Sequence, residues 1–283
     1  MREYTRRTVT TLSGAALASA LAGCADDGRS QSEEDTETGA GTATDGEGTT
    51  EPAGTDGNGS EGATAESGGS VSFELPESGE LYAPFQVAMD AEGYTVEKAG
   101  EVNEGAGHFH VLIDTDPVEP GEVIPEDDRH RHFGDGSERA FLDLPEGEHR
   151  LVLQLGNGAH EALPATDEAT VDVVGESSAS FAAPEDGATV TNPVEIEMTA
   201  GNFTVEESGE ITQNAGHFHV LVDRDPVAAG EMIPNDDGHV HFGDGATIAE
   251  LDLAFGEHTL VLQPSNGAHE AYPIHEEITV TVE

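Results

Sequence analysis

Apolar residues recur with a period of two along most of the chain beyond residue 70. Phe85, Val87 and Met89 alternate with Gln86 and Ala88; Phe109, Val111 and Ile113 alternate with His108, His110 and Leu112; Ala140, Leu142 and Leu144 alternate with Phe141 and Asp143. This period predicts strands with one face on a core. Leu151, Val152 and Leu153 form a nearly continuous apolar run, which predicts a more central strand. Asp135-Gly136 and Pro145-Glu146-Gly147 are turn signals between such runs. No segment holds a helical period. About seven short strands in roughly 105 residues predict an immunoglobulin-like β-sandwich. The Cys–Trp–Cys pin of antibody domains is absent, since the chain has one Cys and no Trp, so strand topology is left open.

The pattern occurs twice. "GHFHVLID" (Gly107–Asp114) returns 109 positions later as "GHFHVLVD" (Gly216–Asp223), with Val222 for Ile113. "YTVEKAGEV" parallels "FTVEESGEI", "HRHFGDG" parallels "HVHFGDG", and "LDLPEGEHRLVLQLGNGAHEA" parallels "LDLAFGEHTLVLQPSNGAHEA". A period of 109 is the size of a whole domain, too long for a solenoid unit. The expected organisation is all-β: two tandem immunoglobulin-like β-sandwich domains at residues 70–174 and 178–283, joined by the polar stretch "GESSA".

The front of the chain is different. Arg6-Arg7 precede a charge-free stretch from Thr8 to Ala25 that contains "LAGC" at Leu21–Cys24. A basic start and a short apolar run predict an export signal over residues 1–23 rather than a membrane span. The paired arginines resemble a twin-arginine signal, and "LAGC" resembles a lipobox, whose cysteine is lipidated. Residues 25–69 contain no aromatic residue and no Leu, Ile or Val, so residues 24–69 are expected to be a lipidated cysteine and a disordered acidic tether. The expected location is the outer face of the cytoplasmic membrane, anchored there by lipid on Cys24.

With 10 Lys plus Arg against 58 Asp plus Glu, the net charge is −48. Nucleic acid is excluded as an expected partner, because phosphate needs the opposite sign. Self-repulsion would strain compact domains in dilute buffer. Molar salt cuts the Debye length to roughly 3 Å and relieves that strain. The composition resembles proteins of extreme halophiles, especially halophilic archaea.

All 13 histidines lie between His108 and His275, and six in the first copy have partners 109 positions later. Residues i and i+2 of a strand share a face, about 6.5–7 Å apart. His108 and His110 therefore point together, away from the core face of Phe109, and are expected on the outer face. His130 and His132 do the same if "HRHF" is extended. Thr115–Arg129 between the pairs has three prolines and little apolar surface, so it is expected to need an external pin. A divalent ion bridging the pairs would supply one. The expected site is His108, His110, His130 and His132, completed by His160. Its twin is His217, His219, His239, His241 and His269. Imidazoles suit Zn²⁺ or Cu²⁺, about one ion per domain. Asp127, Asp128 and Asp135 are candidate oxygen donors but fit solvated loop acids better. His149 and His258, at strand starts, read as structural. The chain's negative charge is expected to raise histidine pKa values at low salt, which opposes metal binding.

"GHFHVLID", "IPEDDRHRHFGDGSE" and "LPEGEHRLVLQLGNGAH" resemble domain of unknown function family 4399, whose pattern runs GHHHLLID, then HxHFGxG, then PGxHTLQL and a late histidine. Phe109 and Phe218 stand where that pattern has the middle histidine. The resemblance implies a domain and brings no established activity with it. The expected function is a cell-surface lipoprotein binding divalent transition metal ions, with a cell-surface or extracellular protein as a further partner. The alternatives are a structural or adhesive module whose histidines form metal-free hydrogen-bond networks, or a copper enzyme. "HFHV" is similar to the His-x-His strand of copper–zinc superoxide dismutase. The disulfide cysteines and an arginine-bearing active-site segment are missing, and no nucleophile motif occurs. A binding role is therefore expected over an enzymatic one.

Overall fold

The structure, a computed structural model, describes residues 6–7, 68–75 and 81–283. Cys24 and the rest of the expected export signal and tether lie outside the described residues. Every regular element described is a strand. A two-residue strand, β1 (Arg6–Arg7), comes first. The first repeat holds β2 (Ser70–Glu74), β3 (Leu81–Ala83), β4 (Phe85–Glu92), β5 (Thr95–Val96), β6 (Ala106–Ile113), β7 (His130–Phe133), β8 (Arg139–Leu142), β9 (Gly147–Gly156) and β10 (Ala162–Glu176). The second holds β11 (Ser178–Ala183), β12 (Ala188–Val190), β13 (Val194–Gly201), β14 (Thr204–Val205), β15 (Ala215–Val222), β16 (His239–His241), β17 (Ile248–Leu251), β18 (Gly256–Ser265) and β19 (Glu276–Val282).

Each repeat is a sandwich. In the first, the sheet β2-β4-β8 packs on the sheet β3-β10-β9-β6-β5, with β7 also paired to β6. In the second, β11-β13-β17 packs on β12-β19-β18-β15-β14, with β16 on β15 and β1 on β17. The strands not anticipated by the alternation are short. β5 and β14 have two residues each and pair parallel with β6 and β15. A two-residue strand has no period to read.

The period of two explains the cores. Phe85, Val87 and Met89 from the small sheet meet Phe109, Val111, Leu151 and Leu153 from the large one. The second core joins Val194, Ile196 and Met198 to Phe218, Val220, Leu260 and Leu262 in the same way. Each fully buried side chain of this size contributes about 1.5–3 kcal/mol relative to exposure. All-β architecture in two tandem immunoglobulin-like sandwiches is therefore as the alternation predicts.

The stretch expected as a linker is largely strand. β10 ends at Glu176 and β11 starts at Ser178; Ser177 lies between them and donates from Oγ to the Asn202 carbonyl at 2.9 Å. Contacts cross between the repeats. Asn214 Nδ2 donates to Tyr82 O at 2.7 Å, Arg139 pairs with Glu270 at 2.7 Å, and the Phe141 and Tyr272 rings lie 4.6 Å apart.

Candidate metal centres

β6 is covered on both faces. Phe109, Val111 and Ile113 enter the core, and the opposite face carries His108 and His110, 0% and 2% exposed. The expected side of the sheet is correct, but it does not face solvent. The loop from Thr115 to Arg129 lies over it. That loop does not need an ion to pin it, contrary to expectation. Gln154 stands opposite His110 on β9. Its Oε1 accepts the Val118 N–H at 2.9 Å and its Nε2 donates to Val118 O at 2.8 Å. The Ile124 N–H donates to His160 O at 2.9 Å, and Ile124 is itself buried. Gln263 holds Val227 with the same two bonds in the second repeat, each 2.8 Å, and Ile233 donates to His269 O at 2.9 Å.

Pairing register then assembles the imidazoles. β7 returns antiparallel to β6 with His132 opposite His110 and His130 opposite Leu112. His110 thus lies between His132 on one side and Gln154 on the other. His160 comes from the turn Asn157–Glu161, where Asn157 Oδ1 accepts the Ala159 and Glu161 N–H groups at 2.9 and 3.1 Å. His160 has φ 65° and its twin His269 φ 69°, a left-handed conformation uncommon for any residue but glycine.

His108, His110, His132 and His160 all touch one another, with ring centroids 4.7 to 6.0 Å apart. His217, His219, His241 and His269 repeat the cluster at 4.8 to 5.9 Å. His108 Nε2 and His110 Nε2 are 3.0 Å apart. One ring nitrogen each from His108, His110 and His132 lie within 4.8 Å of one another, and so do those of His217, His219 and His241. His130 is not drawn in. Its Nδ1 bonds Asp127 Oδ1 at 2.7 Å, and His239 bonds Asp236 at 2.8 Å. Both sit at a tight turn in which the histidine N–H donates to the aspartate carbonyl, so the ring closes the turn instead of joining the cluster. Asp135 likewise caps its own turn through the Ser137 N–H at 3.0 Å. His149 and His258 are structural, as read. Each bonds an aspartate at 2.8 Å (Asp114, Asp223), and the carbonyls of Pro145 and Ala254 at 2.9 and 3.0 Å.

A family model described as Domain of unknown function (DUF4399) matches residues 87–174 and again 196–283. The chain belongs to the DUF4399 family. Both DUF4399 repeats carry the histidine cluster within the matched residues. No curated protein matches the chain. Among solved structures, the fibronectin(III)-like modules of Clostridium thermocellum CbhA are 14% identical over 75% of this chain and 94% of that one, with a TM-score of 0.24. SGBP-B of the Bacteroides ovatus mixed-linkage glucan utilization locus, in complex with a mixed-linkage heptasaccharide, is 15% identical over 71% of this chain, with a TM-score of 0.18. The match spans 42% of that protein's length.

The electrostatics of the DUF4399 clusters run against the charge of the chain. Burial first, and neighbouring imidazoles second, lower His108 to about 4, His110 to about 3, His217 to about 4 and His219 to about 2. The acidic chain was expected to raise these values; desolvation of the charged form outweighs it. The rings are therefore neutral at pH 7, the form that ligates a metal. The fit extends to hydrogen bonding. His108 Nδ1, His110 Nδ1, His132 Nε2 and His160 Nε2 are buried with no hydrogen-bond partner, as are His217 Nδ1 and His219 Nδ1.

Two supporting positions escaped the sequence reading. Gln154 and Gln263 are polar residues inside the apolar run "LVLQ", a signal repeated in both copies. Gly134 and Gly243 follow each "HF"; a Cβ at either would collide with the ring of His132 or His241.

Proposed function

We propose that each repeat binds one divalent transition metal ion, Zn²⁺ or Cu²⁺. The donors are His108, His110 and His132 with His160 beside them, and His217, His219 and His241 with His269. The observation that carries this is the convergence of three imidazole nitrogens within 4.8 Å in each repeat. His108, His110, His217 and His219 are buried and neutral at pH 7, and several ring nitrogens of the clusters are unpartnered. An unpaired buried polar atom costs about 1–3 kcal/mol. Coordination would engage some of these nitrogens. The left-handed His160 and His269 support the same reading, since such backbone strain tends to persist where a side chain has a task. When bound, such an ion supplies a Lewis-acidic centre; the chain supplies neutral nitrogen donors and a loop that limits water.

A metal-free network is the second reading, and one feature of the second repeat favours it. Ser265 Oγ lies 3.1 Å from His217 Nε2 and 3.2 Å from His219 Nε2, and satisfies part of that cluster without an ion. Titration with Zn²⁺ and Cu²⁺ in molar salt separates the readings. About two ions per chain should bind, falling to one in His108→Ala/His110→Ala, with a rise in melting temperature on loading. A wild type that binds no ion and gains no thermal stability overturns the metal reading.

We further propose, from the sequence alone, that the protein is anchored to the outer face of the cytoplasmic membrane by lipid on Cys24, where it would meet extracellular metal or surface proteins. "LAGC" after a charge-free run supports it. Cys24→Ser should move the protein from the membrane fraction to the soluble one. Continued membrane association would reject the anchor.

A further inference from the structure

The two clusters differ at one position that touches the donors. On β9, Gly156 pairs with His108; at the equivalent position on β18, Ser265 pairs with His217. A Cβ placed on Gly156 would lie 2.8 Å from His110 Nε2 and 3.2 Å from its Cδ2, so this position adjoins the donor nitrogens and carries no side chain. Ser265 puts a hydroxyl there, 0% exposed, within 3.1 and 3.2 Å of both Nε2 atoms.

A second difference lies in the turn that presents the fourth histidine. His269 Nε2 engages His241 Nε2 at 3.2 Å, whereas His160 Nε2 has no hydrogen-bond partner. Beside His269, Glu270 is fixed by Arg139 at 2.7 Å, Gln86 at 3.2 Å and Asn266 at 2.7 Å, two of them from the other repeat. Beside His160, Glu161 is exposed and accepts from Asn157 Nδ2 at 2.9 Å, a bond within its own turn. The second cluster has a hydroxyl beside its donors and a braced turn; the first has no side chain at Gly156 and a turn without that brace.

We infer that the two centres divide their roles: the first-repeat ion keeps a coordination position open beside Gly156 for a small exogenous anion, and the second-repeat ion is closed there by Ser265. This rests on the metal reading above. Metal sites that serve structure are closed by protein donors, and those that exchange or react keep one position open. An all-imidazole set leaves the bound ion with its positive charge, so a compact anion is the ligand class it favours.

The test uses the full chain with Cu²⁺ as the metal and azide as the anion, in molar sodium sulfate because chloride would compete. His217→Ala/His219→Ala leaves the first centre, and His108→Ala/His110→Ala leaves the second. Copper content is measured separately by elemental analysis, and azide binding by the azide-to-copper charge-transfer band. The first centre should bind azide at least tenfold more tightly than the second. Adding Ser265→Gly to the protein that keeps the second centre should restore azide binding there. Gly156→Ser in the protein that keeps the first centre should weaken it, which gives a reverse test if Ser265→Gly does not fold. Copper at both centres with equal azide affinity overturns this inference and leaves the metal reading standing. Copper at neither centre overturns both.

Discussion

The two repeats place the same four histidines on equivalent strands and turns, yet they surround them differently. In the first, four buried ring nitrogens of the cluster have no hydrogen-bond partner; in the second, this is so for His217 Nδ1 and His219 Nδ1. The nitrogens that gain a partner are the Nε2 atoms of His241 and His269, 3.2 Å apart, and other side chains around the clusters differ as well. Ser265 stands for Gly156, and Glu270 reaches Arg139 of the neighbouring repeat where Glu161 bonds within its own turn. A duplicated domain keeps the ligand geometry because strand register sets it. It can change the closure of a site through residues that register leaves free. The sharpest ways to break this comparison act on the shared geometry, and the finer ones on the differences.

The largest effect is expected from Gly134→Ala and Gly243→Ala. A Cβ at these positions runs into the ring of His132 or His241, so the third donor must move. Groups that orient a ligand typically cost 10–100-fold in metal affinity, and about that loss is expected in the altered repeat alone. Isothermal titration with Zn²⁺ reads it. Unchanged affinity in both variants would show that His132 and His241 are not donors.

Next in size is acid sensitivity of the metal-free protein. His108, His110, His217 and His219 have folded pKa values of about 4, 3, 4 and 2 against an unfolded value of 6.5. Below 6.5 the unfolded chain takes up protons that the folded clusters refuse. Stability should therefore be highest above about pH 6.5 and fall as pH drops toward about 4. Denaturant melts between those values check it. The slope should flatten when His108 and His110 become Gln, since that removes a share of the penalty. A slope that is unaffected would assign the acid loss to other groups.

Much of this was legible beforehand, and the reasons differ by element. The core strands follow from alternation, because Phe85, Val87, Phe109 and Val111 have one face to bury. Four members of each cluster follow from repetition and i, i+2 parity. Parity could not separate His130 from His132, since both share a face; the separation depends on which of them lies opposite His110 and which closes the turn at Asp127. Nor could it show that the histidines are buried. That depends on Gln154 reaching Val118 across 36 positions of sequence, a long-range bond with no local pattern. The Gly156/Ser265 difference was visible in "LQLGNGAH" against "LQPSNGAH", and it gained meaning when those positions were found beside the Nε2 atoms.

A smaller effect tests the brace between repeats. Phe141 packs against Tyr272, and Arg139 holds Glu270 next to His269. Phe141→Ala should destabilise the second repeat by about 1–3 kcal/mol, and Arg139→Ala, whose side chain is 43% exposed, by about 1 kcal/mol or less, with the first repeat unchanged within error. The first repeat's metal affinity should not change. Hydrogen exchange resolved by repeat, on loaded and metal-free protein, separates the two. Residues 178–283 alone should fold cooperatively in molar salt yet melt below the same repeat in the full chain. Equal melting would mean that the contact is incidental.

The smallest effect concerns a histidine outside the clusters. His149 bonds Asp114 through Nδ1 and the Pro145 carbonyl through Nε2, two acceptors that only the doubly protonated ring can satisfy together. Burial lowers its pKa, but the Asp114 and Pro145 bonds outweigh it and the net shift is upward. The sign is opposite to that of the cluster histidines. A raised folded pKa stabilises below the unfolded value of 6.5 and loses that contribution as pH rises through the folded value. Asp114 is nearly half exposed, with 45% side-chain accessibility, so screening keeps the contribution to about 0.5–1 kcal/mol, less in molar salt. His149→Gln should therefore cost most near pH 5.5 and almost nothing near pH 9. Paired denaturant melts of wild type and variant at those two values measure it. A deficit that grows with pH would mean that His149 acts as a neutral ring, donating to only one of its two acceptors.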